Sequence, residues 1–114
     1  MSRIVTKPWG HEDRWAVNEK YLGKLLKIDP ECRLSRQYHE QKDETIYVLE
    51  GSIVLELGQG EDMHSHVLSP GESWRIKPGT VHRFCAREDG CTLIEVSTPE
   101  IDDVVRLEDD YRRE

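Results

Sequence analysis

The chain has 114 residues, 36% hydrophobic and 34% charged, with a formal net charge of −7. That length fits a single domain over residues 1–114, and the acidic balance argues against nucleic acid as a partner, which needs a basic stripe. No apolar run approaches the ~20 residues of a membrane span, and the opening MSRIVTKPWG has no signal-peptide core, so a cytoplasmic protein with no membrane partner is expected.

In chain order, SRIVTKPWG reads as an extended arm whose Trp9 packs on the body of the protein or on a dimer mate. YLGKLLKID is a strand stopped by Pro30. TIYVLEG and SIVLELG read as two strands with Gly51 as the hairpin corner between them. SHVL runs into the turn SPGE, and SWRI into the turn KPGT. VHRFCA leads to REDG, read as a turn that Cys85 and Cys91 would flank, and CTLIEVS stops at Pro99. The tail IDDVVRLEDDYRRE is extended or one short helical turn, with Asp109 and Asp110 in a solvated acidic run. Short strands punctuated by turns every ~8–12 residues predict an all-β sandwich or barrel. A jelly roll removes open edges at this length and leaves a central cavity. The odd cysteine count, Cys32, Cys85 and Cys91, with no CxxC pair, predicts free thiols.

Within LSRQYHEQKDETIYVLEG, Gln37 and His39 are two apart and share a strand face. Glu44 opens the next strand on the parity of Ile46 and Val48, so it faces inward if they do. An inward carboxylate beside an imidazole needs a partner, and a divalent cation supplies one. His82 follows the KPGT turn on the parity of Phe84 and completes a set of one amide, two imidazoles and one carboxylate. Such N/O donors suit zinc, manganese, iron, nickel or cobalt with open positions for water. The plainer reading, strand histidines and a surface glutamine, applies to each residue singly; convergence from three turn-defined positions favours the metal. His64 and His66 also share a face but adjoin a loop. Glu95, on the parity of Leu93, is a candidate general base. Arg106 either anchors the tail through neighbouring acids or, with Lys77, Arg36 and Arg83, offers a cation to an anionic substrate.

The spacing from Glu31 to Gly51 resembles the first cupin motif, with Gln37 in the first histidine place and Glu31 in place of the leading glycine. GESWRIKPGTVHRFCA resembles the second. KPWGHE, LSRQYHE, PGTVHR, LIEVSTPE and DDVVRLEDDYRR together resemble the cupin domain of type II mannose-6-phosphate isomerases, with HEQKDE where those carry three histidines and R-A-E. The resemblance implies a single-domain cupin jelly roll, a metal, and a phosphorylated sugar as substrate. It implies pairing into a homodimer through the extended arm, and it supports Gln37 as a ligand, since the other isomerase class uses glutamine in its zinc set. Three functions are expected to compete: an aldose–ketose isomerase with Glu95 and Arg106 in catalytic roles, a metal-bearing binding module, and an oxygen-using metalloenzyme.

Overall fold

The computed structural model describes residues 3–111; Met1 and Ser2 of the arm, and Arg112 to Glu114 of the tail, lie outside the described residues. Nine strands form: β1 (Ile4–Lys7), β2 (Gly10–Val17), β3 (Leu22–Ile28), β4 (Arg36–Tyr38), β5 (Glu44–Leu57), β6 (His64–Leu68), β7 (Ser73–Ile76), β8 (His82–Ser97) and β9 (Val105–Glu108). A short 3-10 turn, Gly60–Asp62, is the one helical element among the described residues. No helix there is long and apolar enough to cross a membrane.

The two longest strands organise the barrel. The N-terminal half of β5 pairs with the C-terminal half of β8, from Glu44↔Ser97 to Val48↔Leu93, and the other halves pair from Ile53↔Ala86 to Leu57↔His82. One sheet extends outward through β3, β2 and β1 on the β8 side and β7 on the β5 side; the other extends through β4 and β9, and through β6. Their two inner faces enclose the core in a jelly roll. Gly51 and the REDG segment are therefore not hairpin corners, and Cys85 and Cys91 flank no turn. Both lie inside continuous strands that bend together, with register shifts between Val48 and Glu50 and between Gly51 and Ile53. The shifts flip parity: Glu44, Ile46 and Val48 face the core before them, Ile53, Leu55 and Leu57 after them. Gly51 (φ 74°) is required at the bend, because a Cβ there would sit 2.2 Å from the Gly90 carbonyl oxygen.

The core centres on Leu26, Ile28, Ile46, Val48, Ile53, Leu55, Phe84 and Leu93. Full burial of each stabilises the fold by about 1.5–3 kcal/mol. Trp9 is 2% exposed and joins this cluster. β1 folds back on β2 with Ile4↔Asp13 and Lys7↔Gly10 in register, so the described part of the arm is the outer strand of a hairpin. The tail forms β9 against β4. Asp110 is not simply solvated; its carboxylate takes Arg33 at 2.7 Å and Arg83 at 3.2 Å. All three cysteines are free.

Candidate metal centre

His39 lies one residue beyond β4, Glu44 is the first residue of β5 and His82 the first of β8. The turn from β4 into β5 and the start of β8, far along the chain, thus meet at one mouth of the barrel. Glu44 is 2% exposed, His39 5% and His82 1%. Their donor atoms lie within 4.8 Å of one another, and among the described residues this is the cluster of histidines and acids so arranged. Gln37 is the cross-strand partner of His82 on one side and of Arg106 on the other. It lines the same cavity, and its Oε1 accepts from the Ser35 hydroxyl at 2.6 Å.

The hydrogen bonds fix which atoms face inward. The Nδ1–H of His82 donates to the Thr80 carbonyl at 2.9 Å, and that of His39 donates to the Asp103 carbonyl. A carbonyl only accepts, so in each neutral ring the lone pair sits on Nε2. His39 Nε2 lies 2.8 Å from Glu44 Oε2. Both Nε2 atoms and Glu44 Oε2 are buried without a hydrogen-bond partner. Converging lone pairs repel unless a proton or a cation lies among them, and imidazole with carboxylate is a donor set divalent metals accept. The residues fit a metal.

The electrostatics agree. Burial pushes the His82 pKa down, which keeps its ring neutral and able to ligate. Burial pushes Glu44 up, but a hydrogen bond from His39 and the charge of Lys42 outweigh it and hold its carboxyl at about 2, so a proton lies between His39 Nε2 and Glu44 Oε2 wherever a cation does not take its place. Lys42 Nζ lies 2.8 Å from Glu95 Oε2 and 3.7 Å from Glu44 Oε2. Burial lifts the Glu95 pKa, and the neighbouring Glu44 charge adds to it; Lys42 offsets only part. Burial alone would lower the Lys42 ammonium, yet Glu95 and then Glu44 carry it upward.

These groups open onto a cavity of about 290 Å³. Its wall carries the cations Lys7, Arg14, Lys24, Lys42 and Arg106 and the acids Glu12, Glu44, Glu95, Asp102 and Asp103. The wall is charge-balanced in a chain of net −7, and a divalent ion would make it +2. Glu12 holds Arg14 at 2.7 Å and Lys24 at 3.5 Å. The Arg106 side chain has no hydrogen bond or ion pair among the described residues.

The structure thus brings Gln37, His39, Glu44, Glu95 and Arg106 to the wall of one cavity, with His82 buried beside His39 and Glu44. It places the other cation candidates elsewhere. Arg36 pairs with Glu56 and Glu108, both at 2.6 Å; Arg83 donates to the Leu34 carbonyl at 2.8 Å and pairs with Asp110; Lys77 is exposed outside the cavity. His64 and His66 stack edge to face on β6, and His66 packs on Trp74. Sequence reasoning missed Lys42, read as part of a polar turn. Its signal was parity, two residues before Glu44. Lys24, Glu12 and Asp103 carried no comparable local signal.

A family model described as a cupin domain matches residues 24–97. Mannose-1-phosphate guanylyltransferase ManC of Salmonella typhimurium is 36% identical over 99% of this chain and 24% of its own length. Xanthan biosynthesis protein XanB of Xanthomonas campestris is 32% identical over 97% of this chain and 24% of its length. The chain thus spans about a quarter of these relatives. Among solved structures, KdgF from Halomonas sp. superposes with a TM-score of 0.76 at 23% identity, covering 86% of each chain. Oxalate decarboxylase from Bacillus subtilis gives 0.80 at 16% identity, covering 93% of this chain and 30% of that one. At those identities the likeness is one of fold.

Proposed function

The chain belongs to the cupin family, and from the cavity its barrel encloses we propose a metal-dependent aldose–ketose isomerase acting on a sugar phosphate of the mannose 6-phosphate type. One observation carries the reading: three buried lone-pair atoms, from His39, Glu44 and His82, converge unpartnered beside a buried carboxyl–ammonium pair. Gln37, His39, Glu44 and His82 would hold a divalent cation. Bound there, it would polarise a carbonyl and the adjacent hydroxyl. Glu95 takes the proton from the carbon beside the carbonyl and returns it to the neighbouring carbon through an enediol. Its raised pKa brings it closer to neutral pH, where a general base works best. Lys42 holds that carboxylate at 2.8 Å. Arg106, whose side chain has no partner among the described residues, takes the phosphate at the cavity mouth, and a wall made net positive by a divalent ion suits a dianion. Similarity to mannose-1-phosphate guanylyltransferases over nearly the whole chain supports phosphorylated sugar as the substrate class.

A second reading is a binding module that holds a sugar or small acid without turnover. The acid and amide Glu40 and Gln41, where type II isomerases carry histidines, favour it. A coupled assay for fructose 6-phosphate formation from mannose 6-phosphate separates the two. Turnover with added zinc, manganese or cobalt that Glu95→Gln abolishes supports the isomerase. Stoichiometric metal and saturable sugar-phosphate binding without turnover supports the module.

A further inference from the structure

The turn that carries His39 into β5 is held from outside. Asp103 lies on the segment joining β8 to β9, which crosses the cavity mouth. Its carboxylate accepts three successive backbone N–H groups, from Glu40 at 3.0 Å, Gln41 at 2.8 Å and Lys42 at 3.0 Å. Its own carbonyl accepts the Nδ1–H of His39. The segment is tied at its start, where Asp43 N–H donates to Thr98 Oγ1 and Thr98 N–H to the Asp43 carbonyl, both at 3.0 Å. One residue therefore sets the ring orientation and tautomer of His39 and the course of the backbone that delivers Lys42.

We propose that Asp103 is a positioning residue for the metal centre, coupling the C-terminal segment to metal affinity through the Glu40–Lys42 turn and His39. This rests on reading His39, Glu44 and His82 as ligands. Three convergent N–H groups form an anion nest, so the turn is shaped around this carboxylate. Partners that orient a ligating histidine typically change metal affinity 10–100-fold when removed. Alanine at 103 keeps the backbone carbonyl but frees the turn. His39 then keeps its carbonyl partner, but the turn that carries it is no longer held in register with that carbonyl.

The test uses the full chain, with zinc affinity from competition against a chromophoric chelator, the cobalt(II) ligand-field spectrum, and amide hydrogen exchange at residues 40–42. Asp103→Ala should weaken zinc binding by about tenfold, the low end of the range because the orienting carbonyl remains, alter the cobalt bands and speed exchange of the three amides. Asp103→Asn, which keeps one accepting oxygen, should fall between, and it decides the matter if Asp103→Ala does not fold. Wild-type zinc affinity with unchanged cobalt bands in the variant would overturn the proposal while leaving the ligand reading intact. A wild-type chain that takes up no stoichiometric zinc, or a His39→Ala chain that still does, would sink both.

Discussion

Replacing Lys42 with methionine removes the cation from a site where two acids depend on it. Glu95 Oε2 lies 2.8 Å from Nζ, and both side chains are 5% exposed. Breaking a buried pair by deleting one partner commonly destabilises by about 3–5 kcal/mol. Here the loss has a ceiling, because Glu95 can take a proton instead. Neutralising at pH 7 a carboxyl whose ordinary pKa is 4.5 costs about 3 kcal/mol, at about 1.4 kcal/mol per unit. The expected loss in Lys42→Met is therefore about 3 kcal/mol at pH 7 in metal-free buffer, a large part of the ~5–15 kcal/mol that holds a domain together. The sign follows from the raised pKa. The folded state binds the Glu95 proton more tightly than the unfolded state, so the loss is absent below about pH 4.5 and grows as pH rises above it. Urea unfolding of wild type, Lys42→Met, Glu95→Gln and the double variant at several pH values measures it. At pH 7 the double variant should recover all but about 1 kcal/mol of the Lys42→Met loss, since a neutral amide needs no ammonium. A loss unchanged between pH 5 and pH 8, or losses that simply add, would refute the reasoning.

Three further outcomes follow from other parts of the fold. Glu31, exposed and the one non-glycine residue with positive φ (60°) among the described residues, stands where the cupin motif has glycine; Glu31→Gly should raise stability by about 0.5–1 kcal/mol in thermal or urea unfolding, the left-handed penalty less glycine's entropy. Gly51→Ala would set a Cβ 2.2 Å from the Gly90 carbonyl and should cost several kcal/mol, about 3 or more, by the same measurement. Burial raises the Glu12 pKa, but the charge of Lys24 and the contact with Arg14 bring the net shift downward, so Glu12 contributes stability present above about pH 4.5 and lost as pH falls below it; Glu12→Gln should flatten the acid limb of stability against pH, and a limb as steep as wild type would contradict this.

The sequence by itself determined the strand content, the two Pro-Gly turns and the inward faces of the site. Turn residues and period-two parity are local properties: Glu44 shares parity with Ile46 and Val48 whatever lies across the sheet, and all three are buried. The tertiary structure alone decided how the strands join. Glycine permits a hairpin corner and an in-strand bend equally, and tertiary packing selected the bend: a Cβ at Gly51 would meet the Gly90 carbonyl on β8, and one at Gly90 the Ile28 carbonyl at the end of β3. It also decided the charges around the site. Lys24 and Glu95 are cross-strand partners 71 positions apart in the chain, and Asp103 meets residues 40–42 from more than 60 positions away. No local rule pairs such residues. Only closure of the two sheets into a barrel brings a lysine from a polar turn, a glutamate from a late strand and an aspartate from the tail onto the histidines that the motif spacing had already marked.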